Sequence, residues 1–71
     1  MHALTDPQSS RRAAIVRLLR EQPVARQAEL VRLLRKEGHE ATQSSVSRDL
    51  RDLGVLKAGD RYLIPEDAGG R

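Results

Sequence analysis

Four side chains that hydrogen-bond readily share one face of a predicted helix in the second half of the chain. These residues are Ser44, Ser47, Arg48 and Arg51. Their spacing of i, i+3, i+4 and i+7 places them on one side of a helix that turns about 100° per residue. Small hydroxyl groups let a helix backbone approach a surface closely, and guanidinium groups reach base edges or phosphate oxygens. The pattern is therefore typical of a helix that enters the major groove of duplex DNA.

The alternative is an ordinary solvated helix face, because Asp49 and Asp52 leave this helix without net charge. Exposed helices, however, are usually built from Glu, Lys, Gln and Ala, whereas serines at positions 44, 45 and 47 are mediocre helix formers. We therefore expect these serines to serve something other than helix stability. We interpret the two aspartates as carboxylates that orient the arginines of this helix and discourage indiscriminate phosphate binding.

Three short helices are predicted to hold this face in place. The first begins at Pro7, with Asp6 as its N-cap, and Pro23 ends it. Its apolar residues fall on one side of a 3.6-residue period: Ala14, Ile15, Leu18 and Leu19. Arg11 and Arg12 lie in its early turns. Of two interpretations, contact with a nucleic-acid backbone and a solvated helix start, we favour the second.

The second helix has an apolar stripe formed by Leu30, Leu33 and Leu34. It ends at Gly38, a residue suited to the left-handed position that follows a helix. Arg26 stands at its N-cap position and has no short side-chain acceptor, so we expect a weak start.

The third helix, from Gln43 to about Leu53, carries the polar face. Thr42 is suited to cap its start and Gly54 to end it. Its other side bears an apolar stripe at i, i+4 and i+7 that must anchor it to the other helices: Val46, Leu50 and Leu53.

The last part of the pattern predicts a β-hairpin. Two short β-prone segments, 55–58 and 61–64, flank Gly59 and Asp60. A two-residue loop with glycine first is typical of a type II′ turn. Three helices and a C-terminal hairpin give an α+β, mainly helical fold class, the winged helix-turn-helix, over residues 7–65.

Two cations stand beside the tip of this hairpin, which we call the wing. Lys57 and Arg61 are placed to contact phosphates, and they are equally suited to guard an edge strand against aggregation. Outside the folded part we expect a disordered N-terminus over residues 1–6 and a linker or tail over residues 66–71.

Charge and composition favour a polyanion as partner and exclude several other classes. The 71 residues carry a formal charge of +3, and residues 11–61 hold twelve Lys and Arg against seven Asp and Glu. Cysteine is absent and the two histidines, His2 and His39, are far apart, so no metal site is predicted. The longest apolar run, 13–16, is too short to span a bilayer, and we predict a cytoplasmic protein without a membrane partner.

The sequence shows no nucleophile paired with a base, no carboxylate dyad and no phosphate-cradling glycine loop, so an enzyme is not predicted. Recognition of single-stranded RNA depends on aromatic stacking, and Tyr62 is the one aromatic residue, so RNA binding is not predicted. A winged-helix protein-interaction module is the alternative function. It needs an exposed apolar patch, whereas the predicted core stripes account for the apolar residues.

The third helix and its surroundings resemble a known family. The stretch TQSSVSRDL at 42–50, with QAELV at 27–31, GVLK at 54–57 and RYLIP at 61–65, resembles the N-terminal DNA-binding domain of the bacterial arginine repressor family. The resemblance covers about residues 11–66.

The resemblance implies sequence-specific binding of double-stranded operator DNA by a repressor of arginine biosynthesis genes. Ser47 and Arg48 match the family's recognition helix, Gln43 also matches its pattern, and Arg26 departs from a Ser or Thr cap. The residues that we expect to contact DNA are Gln43, Ser44, Ser47, Arg48 and Arg51 on the recognition helix and Lys57 and Arg61 on the wing.

The family also implies a second domain, beyond these residues, that assembles a homo-hexamer and binds L-arginine as corepressor. We assign no residue of this chain to arginine binding and predict no cofactor within it. We expect the domain by itself to be monomeric, and to bind DNA weakly because such regulators reach symmetric half-sites with several domains at once.

Overall fold

The computed structural model describes residues 7–65, in which three helices precede a two-stranded antiparallel sheet. The elements are α1 (Pro7–Glu21), α2 (Gln27–Lys36), α3 (Gln43–Leu53), β1 (Leu56–Ala58) and β2 (Arg61–Leu63). This order confirms the predicted α+β, mainly helical fold with a winged helix-turn-helix arrangement. The predicted Asp6 cap, the N-terminal segment 1–6 and the tail 66–71 lie outside the described residues. Within the described part, no helix is long and apolar enough to cross a membrane.

Apolar side chains from the three helices and from the loops between them form one core. Its fully buried members are Ile15, Val24, Leu30, Leu34 and Val46. Burying an aliphatic side chain of this size contributes about 1.5–3 kcal/mol to the stability of the fold. The packing of these side chains therefore holds α3 against the other two helices. The predicted stripes are confirmed, with Leu19, Leu33 and Leu53 only partly buried and with Val31 as a further buried residue that the second stripe omitted.

The turn between α2 and α3 is held by its own backbone and by one side chain. Gly38 has a φ of 94°, and the N–H of His39 donates to the carbonyl of Leu34 at 3.0 Å, which closes the end of α2. Arg35 Nε donates to the carbonyl of Ala41 at 2.7 Å. These hydrogen bonds therefore fix the position at which α3 begins relative to α2.

The two helices of the helix-turn-helix begin differently. Arg26 precedes α2 without a side-chain cap, as predicted. Before α3, Thr42 Oγ1 accepts from the N–H of Ser45 at 3.1 Å, and Ser45 Oγ accepts from the N–H of Thr42 at 2.9 Å. This reciprocal pair is a capping box. Ser45 therefore stabilises the helix, and the expectation that the serines serve another purpose is wrong for this one.

The end of α3 decides where the wing begins. Gly54 has a φ of 77°, and the N–H of Val55 donates to the carbonyl of Leu50 at 2.9 Å. Because Val55 completes the end of α3, strand pairing starts one residue later, and Ile64 opposite it is not in a strand either. Each predicted β segment is therefore one residue too long.

The wing has a short register and two different faces. Its pairs are Leu56 with Leu63, Lys57 with Tyr62 and Ala58 with Arg61. The positive φ of the loop belongs to Gly59, at 66°, and not to Asp60, which agrees with the predicted type II′ turn and excludes type I′.

One face of the wing packs on the core and the other is open. Tyr62 packs against the core, and its N–H donates to the carbonyl of Val24 at 3.0 Å, which joins the wing to the loop between α1 and α2. Leu56 and Leu63 are 66% and 42% exposed. The expectation that the core accounts for the apolar residues is wrong for this pair.

Candidate nucleic-acid interface

The polar face of α3 is exposed along its length, while Val46 and Leu50 bury the opposite face. A concave stretch of surface, enclosing about 390 Å³, runs along this face. It is lined by Gln27, Gln43, Ser44, Ser47, Arg48 and Arg51. The structure thus brings together the five side chains predicted for the recognition helix.

Gln27, the sixth lining residue, was not predicted as a site residue. Its Nε2 donates to the backbone carbonyl of Gln43 at 2.9 Å, which ties the start of α2 to the start of α3. Both glutamines are the first residues of their helices. That shared position in a helix-turn-helix is the signal in the sequence that points to Gln27.

A second concavity of about 320 Å³ shares part of this surface. It is lined by Gln8, Arg11, Thr42, Ser44, Ser45 and Arg48. Ser44 and Arg48 line both concavities, so Arg48 lies between the polar face of α3 and the start of α1.

The wing cations are not gathered with the α3 residues. Adjacent register positions place Lys57 and Arg61 on opposite faces of the hairpin. Lys57 Nζ lies 5.4 Å from the centroid of the Tyr62 ring, a cation–π contact. Arg61 lines a separate concavity beside Leu19 and Arg20. Of the two, Lys57 has its position set by a partner within the wing.

Asp49 is fully buried, and its partners come from α1 rather than from α3. Arg11 donates through Nε to Oδ2 and through Nη2 to Oδ1, the latter at 3.2 Å, and Arg12 Nε donates to Oδ1 at 2.9 Å. Asp52 accepts from Arg12 Nη2. The interpretation of the two aspartates as partners of the arginines on their own helix is therefore wrong.

The expected solvation of the arginines in α1 is wrong for the same reason. The side chains of Arg11 and Arg12 are 11% and 27% exposed, and both are held by Asp49. Within the described residues, the side chains of Arg48 and Arg51 form no hydrogen bond or ion pair, so their guanidinium groups are free to bind a ligand.

The electrostatics of the cluster favour its charged state. Burial alone raises the pKa of Asp49, but the hydrogen bonds and positive charges of Arg11 and Arg12 outweigh burial and hold the pKa below its ordinary value. The hydrogen bond to Asp49 is the main cause that raises the pKa of Arg12. The carboxylate thus stays ionised although it is excluded from solvent.

Comparison with known proteins agrees with this geometry. A family model described as "Arginine repressor, DNA binding domain" matches residues 7–69. The chain belongs to this family. The resemblance drawn from the TQSSVSRDL stretch is thereby confirmed, and the chain is a DNA-binding domain of a regulator family rather than an enzyme.

Curated relatives carry the corresponding names. An "Arginine repressor" of Koribacter versatilis is 48% identical over 56 residues, which cover 79% of this chain and 38% of the relative. An "Arginine repressor" of Desulforudis audaxviator is 45% identical over 59 residues, covering 78% and 39%. An "Arginine regulator" of Lactiplantibacillus plantarum is 42% identical over 54 residues, covering 76% and 35%. The match therefore spans less than two fifths of the length of each of these three relatives.

Proposed function

We propose that this chain reads operator DNA sequence-specifically as part of an arginine-responsive regulator that represses arginine biosynthesis genes in the cytoplasm. The observation that carries the proposal is the exposed polar face of α3, whose five side chains converge on one concave surface while the opposite face is buried. Membership of a family of DNA-binding repressor domains supports it.

The third helix enters the major groove in this proposal. Arg48 and Arg51 have the reach and the donor fork to pair with guanine edges or with phosphates. Ser44, Ser47 and Gln43 add short polar contacts and allow a close approach of the backbone. Neither arginine has a partner to give up within the described residues, so binding DNA costs no internal ion pair.

The wing supplies a different kind of contact. Lys57 and Arg61 bind backbone phosphates, which carry no sequence information but fix the position of the domain on the duplex. The intact regulator takes L-arginine as corepressor and assembles as a homo-hexamer through a part of the protein outside these 71 residues. The names of the relatives, arginine repressor and arginine regulator, support the first of these points.

The experiment begins with selection of duplexes from a random-sequence pool by the chain. We expect one enriched sequence, which then serves as the operator probe beside a scrambled duplex of equal composition. Arg48→Ala should bring the two affinities together, at about 1–3 kcal/mol for each lost bidentate contact. Fluorescence anisotropy at several salt concentrations measures both affinities.

Arg32→Ala is the matched control, because it removes the same charge from an exposed position of α2 outside the α3 concavities. It should keep the preference for the selected duplex. Failure to enrich any sequence, or an unchanged preference in Arg48→Ala, would reject the proposed function.

A further inference from the structure

The carboxylate of Asp49 lies at the only fully buried charged position among the described residues. Two guanidinium groups from α1 bind it, so four hydrogen bonds, counting that of Arg12 to Asp52, join α1 to α3. None of these groups belongs to the exposed polar face that the proposed function uses.

The cluster also reaches the chain just before α3. Arg11 Nη1 donates to the backbone carbonyl of Glu40 at 3.2 Å, in the turn between α2 and α3. The side chain of Arg11, which extends from α1, therefore contacts two other parts of the domain: this turn, and α3 through Asp49. A single planar fork that holds two elements at once restricts the angle between them.

Asp49 follows Arg48 directly and is two residues from Ser47. When the Asp49 side chain is held by α1, the rotation of α3 about its own axis is set, and with it the directions of both neighbours. Side chains that read a partner must be held within about 0.5 Å and 10–20° of the productive geometry. The apolar stripe alone allows small rotations of α3 about its axis, because apolar contacts have no preferred direction. Hydrogen bonds do have one, so the pairs to Asp49 restrict the rotation.

Arg11 is also close to the surface that faces DNA in the proposed function. It lines the concavity that contains Ser44 and Arg48, yet its side chain is only 11% exposed and is held by Asp49. A free cation there would be drawn to phosphates of any sequence. Paired with Asp49, Arg11 is kept from that use.

We propose that Asp49 is a positioning residue that determines operator specificity: through Arg11 and Arg12 it sets the rotation of α3, and it keeps Arg11 from binding phosphates. This inference rests on the proposed function. It differs from a purely structural ion pair, which would change stability and leave the DNA preference of the folded protein as it was.

Asp49→Asn tests both halves, because the amide keeps the size of the side chain and removes its charge. With the selected and scrambled duplexes described above, we expect the affinity ratio to fall about tenfold or more, while scrambled DNA binds more tightly. The slope of log K against log salt should steepen by about 0.9 for each arginine that gains a phosphate. Circular dichroism and thermal melting establish that the variant is folded at the temperature of measurement.

Glu37→Gln is the matched control. Glu37 accepts from Arg17 Nη2, so this ion pair joins α1 to the end of α2. Replacing Glu37 with Gln changes the net charge by the same amount as Asp49→Asn. Neither Glu37 nor Arg17 lines the α3 concavities. We expect this variant to keep both the affinity ratio and the salt slope of the wild-type chain.

If Asp49→Asn does not fold, Arg11→Gln tests the proposed role of Asp49 instead. The proposal expects a reduced affinity ratio with an unchanged salt slope, because Arg11 positions α3 and binds no phosphate. A slope that becomes shallower by about 0.9 with an unchanged ratio identifies Arg11 as a direct phosphate contact and overturns the proposal.

The outcomes separate the two proposals. If the wild-type chain enriches no sequence, the proposed function fails. If it enriches a sequence and folded Asp49→Asn keeps the wild-type ratio and slope, only the role of Asp49 is overturned.

Discussion

The helix α3 and the wing both carry cations that the proposed function assigns to DNA, but different kinds of contact hold the two regions. α3 is fixed by a capping box at its start, by a buried apolar side and by the carboxylate of Asp49. The wing has two strands of three residues, and Tyr62 attaches it by packing against the core and by a backbone hydrogen bond to Val24 in the loop after α1.

The difference matches the role that the proposed function gives to each region. Reading base edges depends on the direction of short hydrogen bonds, so its side chains need a rigid support. Attraction between a lysine and a phosphate has no such directional demand, because an ammonium group acts as a point charge. In the proposed function, α3 therefore supplies the sequence specificity and the wing adds affinity.

The largest effect should come from the apolar support of α3. Leu50 is 6% exposed, and Leu50→Ala should lower the free energy of unfolding by about 2–5 kcal/mol. Leu63→Ala on the open face of the wing is the matched change, and we expect it to stay within about 0.5 kcal/mol of wild type. Urea unfolding followed by circular dichroism measures both. Equal losses in the two variants would contradict the contrast between α3 and the wing.

The next effect concerns acid and the charged support of α3. The pKa of Asp49 is lower in the folded protein than its ordinary value, so the unfolded chain takes up this proton first as the pH falls. The contribution to stability is complete above the ordinary carboxyl pKa of about 3.9 and is lost as the pH falls through the folded value.

Asp49→Asn lacks this contribution, so its stability should decline less steeply than that of wild type below about pH 4. Urea unfolding at a series of pH values compares the two proteins. Parallel declines would show that the charged cluster does not support α3 as we describe. Because Asp49 is fully buried and water cannot replace its partners, we rank this effect above any single contact of the wing.

The smallest effect should be that of a single wing cation. Lys57→Ala should weaken binding to the selected and scrambled duplexes alike and make the salt slope shallower by about 0.9. Lys36→Ala removes the same charge from the end of α2, outside the α3 concavities, and should leave the slope unchanged. A loss confined to the selected duplex would place Lys57 among the residues that read sequence and remove the division between α3 and the wing.

The elements of the fold could be predicted because their signals are local. Pro23, Gly38 and Gly54 mark where helices end, and Thr42 lies three residues before the serine that completes its cap. The same holds for the polar face of α3, since a helical period of 3.6 residues decides which side chains share a face. The wing was predicted to begin one residue too early, at Val55, because the N–H of that residue is used to finish α3.

The charged cluster could not be predicted from neighbouring residues. Asp49 lies beside Arg48 and near Arg51 in the chain, which favoured those arginines as its partners, yet it binds arginines 37 and 38 residues away. The exposure of Leu56 and Leu63 was missed for a related reason, because a two-stranded wing has only one face that can reach the core.

By itself, the amino-acid sequence determined three helices, a hairpin and a polar face that presents Ser44, Ser47, Arg48 and Arg51, because caps, turns and helical periodicity act over a few residues. Only the tertiary structure decided which arginines are free. Arg11 and Arg12 are held in ion pairs with Asp49, while the side chains of Arg48 and Arg51 have no partner in the described residues. The physical reason is that an ion pair depends on distance through space, and the packing of α1 against α3 sets that distance.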